Sequence, residues 1–197
     1  MDNQRQHILV INPNSNESVT EGMALGLRGF HFSEGSGIEC VSLPDGPFSI
    51  ESQADIEAVT LPLRKMVSES RNIDAFVIAC YSDPGLHVCR DASKKPVFGI
   101  QECGILTAMS WGDRFGVIAL QERSIRRHLC YLRQMGVMGW LAGERAAGLS
   151  VGESVSGKDT FEKLLTTAKQ LRDSDQADTI ILGCAGMTSH RAKLESA

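Results

Sequence analysis

The chain has 197 residues, of which 42% are hydrophobic and 22% are charged, and its formal net charge is -4. A chain of this length and composition can bury a core as one domain or as two small, closely packed ones. The negative net charge argues against a nucleic-acid partner, because phosphate contacts require clustered Lys and Arg side chains. We therefore expect the ligand to be a small molecule.

The amino-terminal residues and the cysteines indicate the cellular compartment of the protein. The chain begins with the polar residues MDNQRQH, and the apolar run after them is too short for a secretory signal or a membrane span. No cysteine belongs to a C-x-x-C motif or has a zinc-type spacing to histidine. We expect a cytoplasmic protein with no membrane partner and no metal, whose cysteines are free thiols. The cysteines are at positions 40, 80, 89, 103, 130 and 184.

Short apolar strands and helical patterns alternate along the first half of the chain. The run HILVI predicts a strand buried on both faces, and Ser15 or Asn16 can cap the helix that follows. After the third strand, Asp83 is expected to cap a helix in which Pro84 is the first residue. Strands are predicted at 7–11, 38–43, 75–79 and 96–100, and helices at 17–29, 52–70 and 101–111.

The second half of the chain repeats this alternation, which implies a mostly parallel sheet covered by helices on both faces. Its Arg-rich helix has an apolar stripe at helical spacing, so we interpret the arginines as a solvated outer face and His128 as a packing or solvent-facing residue. No GxGxxG or GxxxxGK[ST] motif supports a dinucleotide or P-loop site. Strands are predicted at 114–120, more weakly near 146–151, and at 178–183, with helices at 123–135 and 157–172.

The ends of the strands mark an internal repeat. Asn12 and Cys80 are 68 positions apart, while Leu120 and Cys184 are 64 apart, and each interval holds three strands and two helices. We predict an α/β protein of two pseudo-symmetric halves, 1–110 and 111–197, with Cys80 and Cys184 at equivalent positions. The strand that follows Cys80 begins at Pro96, and its counterpart would begin near position 200, so we expect the last strand and helix of the second half to be missing.

Cys80 and Cys184 are the main candidates for chemistry. Each is predicted to follow a strand at the carboxyl edge of its sheet, where parallel α/β proteins bind ligands. Two thiols that face one cleft suit the removal of a proton from a carbon next to a carbonyl and its return on the opposite face. Such a reaction needs no cofactor if donors meet the enolate oxygen, and Ser82, the N–H groups after Cys184, Asn12 and Asn14 are candidates.

Simpler roles exist for several of these residues. Cysteine is commonly a buried residue at a strand end, but the equivalent positions of Cys80 and Cys184 favour a functional pair. Asn12 and Asn14 can satisfy a turn, which does not exclude a ligand contact. Arg123 lies just beyond a predicted strand end, where it could orient a carbonyl or carboxylate. The other four cysteines are interpreted as core residues.

Six segments together carry a family resemblance. They are INPNSN (11–16), GPFSIES (46–52), ACYSDPGL (79–86), GIQE (99–102), RFGVIALQER (114–123) and LGCAGM (182–187). In this order the chain resembles the aspartate/glutamate/hydantoin racemase superfamily, and within it the hydantoin and allantoin racemases. The resemblance covers nearly the whole chain, which makes it more specific than any single motif.

The resemblance implies an isomerase, a cofactor-independent racemase of 5-substituted hydantoins, among them the ureido-substituted allantoin. Cys80 and Cys184 would be its acid/base pair, and the loops after the strands would line the substrate pocket. We also expect a homo-oligomer. The expected substrate-binding residues are Asn12, Asn14, Ser49, Ile50, Tyr81, Ser82, Leu120, Arg123, Ala185 and Gly186.

The sequence departs from the family pattern in two ways and leaves other functions open. Family members usually carry an aromatic residue and a glycine after the first cysteine, where this chain has Tyr81 and Ser82, and they usually run some tens of residues further. The alternatives are an aspartate/glutamate racemase, a maleate cis-trans isomerase or an arylmalonate decarboxylase, although carboxylate substrates call for more polar groups than LGCAGM offers before Thr188. A different class is an inactive ligand-binding relative or an incomplete gene product.

Overall fold

A computed structural model describes residues 6–30 and 37–197 of the chain, so the first five residues of the polar amino-terminal segment lie outside it. The strands are β1 (His7–Asn12), β2 (Gly37–Ser42), β3 (Ala75–Ile78), β4 (Val97–Gly99), β5 (Phe115–Ala119), β6 (Leu141–Ala146) and β7 (Thr179–Leu182). The α-helices are α1 (Glu17–Leu27), α2 (Gln53–Glu69), α3 (Leu86–Ala92), α4 (Ile100–Trp111), α5 (Glu122–Met135), α6 (Val151–Ser156), α7 (Thr160–Asp173) and α8 (Arg191–Glu195). Short 3-10 helices occupy Arg28–Phe30, Met138–Trp140 and Ala185–His190.

The chain forms two compact units, Met1–Ile100 and Gln101–Ala197, each with its own parallel sheet. The first sheet has the strand order β2-β1-β3-β4, and the second has the order β6-β5-β7. Every strand pair in both sheets is parallel. The first strand of each unit is therefore central, flanked by the second and third strands. The predicted α/β fold with two parallel-sheet halves is confirmed.

Matching backbone hydrogen bonds show how closely the two units correspond. The N–H of Ala79 donates to Ile11 O at 2.8 Å, and that of Gly183 donates to Ile118 O at 2.9 Å. Cys80 and Cys184, the next residues along the chain, thus occupy equivalent positions. Leu43 N donates to Asn12 O, and Ala147 N donates to Ala119 O in the same way. The structural counterpart of Asn12 is therefore Ala119, one residue before the position that the sequence repeat suggested.

Each unit packs its sheet against amphipathic helices. In the first unit α2 buries Val59, Leu63 and Val67, which are spaced by one helical turn and therefore share the face toward the core. In the second unit Leu164 and Leu171 of α7 belong to the core cluster that contains Ile118 of β5. Full burial of such a side chain contributes about 1.5–3 kcal/mol to stability. The two cores include residues of β1, β3, β5 and β7, and so they fix the strands that precede the predicted site loops.

The structure corrects two predicted element boundaries. The helix after Cys80 begins at Leu86, with Gly85 as its N-cap, instead of being capped by Asp83. Asp83 is buried with a positive φ of 40° and lies in the preceding turn. In the second unit the weak strand predicted near 146–151 is instead β6, at Leu141–Ala146, and α6 begins at Val151.

The cysteines predicted to be core residues differ in exposure. Cys89 is fully buried in the first core, where burial raises the pKa of its thiol to about 11. Cys40 and Cys103 are partly exposed, and Cys130 is exposed on α5, so the prediction of a core position for Cys130 is wrong. Position 130 lies on the solvent side of α5, whose buried residues are His128 and Leu132.

Throughout residues 6–30 and 37–197 we find no helix with both the length and the apolar character that a membrane crossing requires.

Candidate active site

The loop after β1 is shaped by three asparagine side chains. The Asn12 amide donates to Asn14 Oδ1 at 2.9 Å and to Thr20 Oγ1 at 3.0 Å, while its Oδ1 accepts from Asn14 N at 3.3 Å. Asn14 Oδ1 also accepts from Asn16 N at 2.9 Å, and Asn16 caps α1. Asn12 and Asn14 are both buried. Their side chains thus make the turn, and a direct contact with substrate stays a prediction.

The loop after β2 packs against the loop after β1. Pro47 O accepts a hydrogen bond from Ser15 N at 3.0 Å, and a Cβ on Gly46 would lie 2.6 Å from Pro13 O. Only glycine fits this approach. Farther along the same loop, the Ser49 hydroxyl donates to Glu51 Oε1 at 3.1 Å, and Ile50 is partly buried against the first core. Parallel strands end at one edge of a sheet, so these loops share that edge with Cys80.

Cys80 lies two residues beyond β3, where the chain makes a tight turn. Its carbonyl oxygen accepts from Ser82 N at 2.8 Å and from Asp83 N at 3.0 Å. Tyr81 is buried, whereas Cys80 and Ser82 are partly exposed. The turn thus leaves Cys80 and Ser82 partly exposed at the carboxyl edge of the first sheet, while the Ser82 N–H is already engaged.

Cys184 lies two residues beyond β7 and caps the 3-10 helix Ala185–His190. Gly186 N–H donates to Cys184 Sγ at 3.4 Å, and Ser154 Oγ lies 3.8 Å from the same sulfur. Burial raises the pKa of the Cys184 thiol, and these two hydrogen bonds oppose the effect. Cys184 therefore carries its proton near neutral pH.

Glycines on either side of Cys184 permit close packing. A Cβ on Gly183 would lie 2.6 Å from Ile118 O in β5, and a Cβ on Gly186 would overlap Ser154 Oγ in α6. The segment LGCAG thus fits between β5 and α6 because two of its residues lack side chains. This packing fixes the position of the thiol.

The remaining predicted site residues of the second unit lie near the ends of β5 and β7. Leu120 directly follows β5, packs against the second core, and its carbonyl accepts from Leu149 N at 3.0 Å. Ala185 and Gly186 open the 3-10 helix after Cys184. Arg123 is exposed on the first turn of α5. The second unit thus groups Leu120, Cys184, Ala185 and Gly186 at one sheet edge.

A buried pair outside this edge was not predicted. His128 Nδ1 of α5 lies 2.5 Å from Glu144 Oε1 of β6, and both side chains are almost fully buried. Desolvation raises the pKa of Glu144 despite the histidine, and its Oε2 has no hydrogen-bond partner among the described residues. His128 is thus a packing residue that joins α5 to an edge strand.

Ser154 was also missed, because no local motif links it to a cysteine thirty positions away in the sequence. As for metals, the described ranges contain no group of three or more His, Cys, Asp or Glu side chains that could hold an ion.

Comparisons with known proteins assign the chain to a family. A sequence model of the Asp/Glu/Hydantoin racemase family matches residues 8–197. The chain belongs to this family. Hydantoin racemase from Rhizobium meliloti is 34% identical over 200 residues, which cover 97% of this chain and 80% of that protein. Hydantoin racemase from Pseudomonas sp. (strain NS671) is 33% identical over 95% of this chain and 76% of its own length.

A solved structure extends the family relationship to the fold. Allantoin racemase from Klebsiella pneumoniae matches with a TM-score of 0.92 and 27% identity, over 97% of this chain and 79% of that one. The Asp/Glu/Hydantoin racemase family assignment confirms the resemblance that the six segments predicted. Racemases are isomerases, so the predicted enzyme class is confirmed as well.

Proposed function

We propose that this racemase-family protein interconverts the enantiomers of 5-substituted hydantoins or allantoin, with Cys80 and Cys184 as its acid/base pair. The observation that carries the proposal is the equivalence of the two cysteines. Each lies two residues beyond the third strand of its unit, and each is partly exposed. The names of the relatives favour this substrate class.

The reaction requires one thiolate and one thiol. The thiolate removes the proton from the ring carbon next to the carbonyl, and the electron pair of the C–H bond moves into an enolate. The other cysteine then gives its thiol proton to the opposite face of that carbon, and the protonation states of the two cysteines are exchanged. The substrate loses one proton to a thiolate and gains one from a thiol, so no electrons leave the substrate. The proposed mechanism therefore needs no cofactor and no metal.

The surroundings of Cys184 suit the role of proton donor in the resting enzyme. Burial keeps its thiol protonated, while the Gly186 N–H supports the sulfur when the proton has left. At the other cysteine, the hydroxyl of the partly exposed Ser82 is the donor we assign to the enolate oxygen. The Ser82 N–H is bound to Cys80 O and is not offered for this role.

The proposed function also includes a substrate class, the loops that bind the substrate, an oligomeric state and a location. The partner is a small-molecule substrate, taken up by the loops that contain Asn12, Ser49, Ile50, Leu120 and Ala185. Arg123 would orient a carbonyl of that substrate. A homo-oligomer in the cytoplasm stays our prediction.

The proposal is tested with enantiopure allantoin, 5-benzylhydantoin and 5-isopropylhydantoin, whose optical rotation is followed with and without protein. We expect rotation to decay faster with the protein, and Cys80→Ser and Cys184→Ser to lower that rate about a hundredfold or more, as for loss of a general acid or base. Cys40→Ser is the matched control, because Cys40 is a partly exposed thiol in β2 away from the strand end.

Two outcomes would contradict the proposal. Equal decay in the wild-type protein and either serine variant would exclude the two-cysteine mechanism. A folded protein that racemises L-glutamate or L-aspartate but none of the hydantoins would instead identify a different substrate class within the family.

A further inference from the structure

Ser154 is a fully buried polar residue in the middle of α6. Its hydroxyl lies between two groups that can accept its single proton. Ser154 Oγ is 2.7 Å from Val151 O and 3.8 Å from Cys184 Sγ. A serine hydroxyl has one proton to donate and two lone pairs that accept, so its orientation can follow the state of the sulfur.

The two protonation states of Cys184 call for opposite orientations of this hydroxyl. When Cys184 is a thiol, Ser154 donates to Val151 O and its oxygen accepts the S–H proton. When Cys184 is a thiolate, the Ser154 proton turns to the sulfur, because a hydrogen bond to a charged acceptor is stronger than one to a carbonyl. We propose that Ser154 is a positioning residue that holds the Cys184 sulfur and supports its thiolate, an inference that rests on the proposed role of Cys184.

The backbone around Ser154 is fixed before any substrate binds. Ser150 and Glu153 form a capping box at the start of α6, and Ser154 N donates to Ser150 O at 3.0 Å. The Thr160 hydroxyl donates to Glu153 O at 2.8 Å. Because both ends of this helical turn are held, the Ser154 hydroxyl can rotate without movement of its backbone.

Gly186 provides an independent reason to link Ser154 with the cysteine. A Cβ at position 186 would overlap Ser154 Oγ, so the glycine after Cys184 leaves room for this hydroxyl. The same glycine donates the other hydrogen bond to the Cys184 sulfur. Two donors thus reach one sulfur because position 186 has no side chain.

The elements packed around Cys184 differ in the titratable groups that they carry. β5 and β7 carry none, α6 carries Glu153, and the 3-10 helix carries His190. α8, whose Leu194 packs against the same core cluster as Cys184, carries Arg191, Lys193 and Glu195, all with exposed side chains. The Glu153 carboxylate is exposed and accepts from Ser150 N at 2.8 Å. The Ser154 and Gly186 donors are therefore the local groups through which α6 and the 3-10 helix stabilise a thiolate.

The test is the pH dependence of Cys184 alkylation by iodoacetamide, measured on the separate cysteine peptides by mass spectrometry. We expect Ser154→Ala to move the midpoint of the Cys184 profile to higher pH and to lower its rate at pH 8 about three- to tenfold, as for loss of one hydrogen bond. The profile of the exposed Cys130 serves as the internal reference and should not change.

Ser110→Ala is the matched control, because Ser110 Oγ makes the same kind of bond to Thr107 O at 2.7 Å on α4. Ser154→Thr keeps a hydroxyl and should keep the midpoint of the wild type. The inference would be overturned if the pH midpoint of Cys184 alkylation were no higher in Ser154→Ala than in Ser110→Ala. It would also be overturned if Ser154→Thr raised that midpoint as much as Ser154→Ala does.

The alkylation profile does not depend on turnover, so it separates this inference from the proposed function. If the protein racemises hydantoins through Cys184 but the Ser154→Ala profile is unchanged, only the role of Ser154 fails. In an active enzyme, the alanine variant should also lose kcat/KM equally for both enantiomers, because the equilibrium constant of racemisation is one.

Discussion

At the scale of single residues, Cys80 and Cys184 are distinguished from the other cysteines by their surroundings. Their strand-end positions were predicted from sequence because each follows an apolar strand and precedes small or polar residues. Exposure could not be predicted in the same way. Cys89 and Cys130 both lie on predicted helices, and only the packing of those helices makes one fully buried and the other exposed.

The close packing of Gly186 against Ser154 leads to a stability prediction. Gly186→Ala places a Cβ where Ser154 Oγ lies, and overpacking of this kind costs about 1–3 kcal/mol of unfolding free energy. Ser154→Ala removes the overlapping oxygen, so the double variant should be more stable than the sum of the single changes predicts. Urea unfolding of the wild type and the three variants measures this coupling. Strictly additive losses would show that the two residues do not touch.

At the scale of elements, the strands richest in β-branched residues were predicted from sequence and β6 was misplaced. Its sequence, LAGERA, includes two charged residues that oppose a strand assignment. The structure pairs Glu144 with His128 and Arg145 with Asp175, whose two oxygens lie 2.6 and 2.8 Å from the guanidinium. Both partners are distant in sequence, so local pattern could not show that the charges are compensated.

The start of α3 was misplaced for a related reason. Asp followed by Pro is typical of a helix start, but Asp83 packs against Gly99 of β4, where a Cβ would overlap its carboxyl group. Its backbone has positive φ, which ends the turn after Cys80 before the helix begins at Leu86. This contact between two elements decided the boundary against local propensity.

The capping box of α6 supports an element-scale prediction. Ser150→Ala removes the side-chain half of the box and should cost about 1 kcal/mol of unfolding free energy. Hydrogen bonds from the Ser150 N–H and hydroxyl hold the pKa of Glu153 below its usual value. Their contribution to folding stability is therefore fully present above the usual pKa and is lost as the pH falls through the lowered pKa. The penalty measured by urea unfolding should therefore shrink in acid.

A matched variant in α2 separates the effect of α6 on stability from its effect on the Cys184 thiol. Ser52 and Asp55 form the same capping box at the start of α2 in the first unit. Ser52→Ala should cost similar stability and leave Cys184 alkylation unchanged, whereas Ser150→Ala should alter both because α6 carries Ser154. Equal alkylation profiles for the two variants would contradict a role of α6 in positioning the thiol.

At the scale of the whole molecule, the sequence repeat predicted the organisation of the chain into two similar α/β units. The repeat could be found because the spacing of the strand ends along the chain is similar in the two units, whereas the side chains at matching positions mostly differ. The first unit has a fourth strand, β4, and the described residues of the second unit contain no counterpart. The placement of the unit boundary near residue 110 stays a prediction, and the structure groups the chain as Met1–Ile100 and Gln101–Ala197.

The two-cysteine mechanism requires that each cysteine, as a thiolate, removes the proton of one enantiomer. Hydrogen–deuterium exchange at the ring carbon of enantiopure substrate in heavy water tests this most directly, with Cys80→Ala and Cys184→Ala. The remaining cysteine can remove and return the proton on its own side in those molecules in which it is a thiolate, so the exchange is measured up to alkaline pH, where the Cys184 thiol also ionises. We therefore predict that each variant stops racemisation, yet still exchanges the proton of a single enantiomer, and that the two variants retain opposite enantiomers. Exchange of the same enantiomer by both variants, or of both enantiomers by either one, would contradict the account.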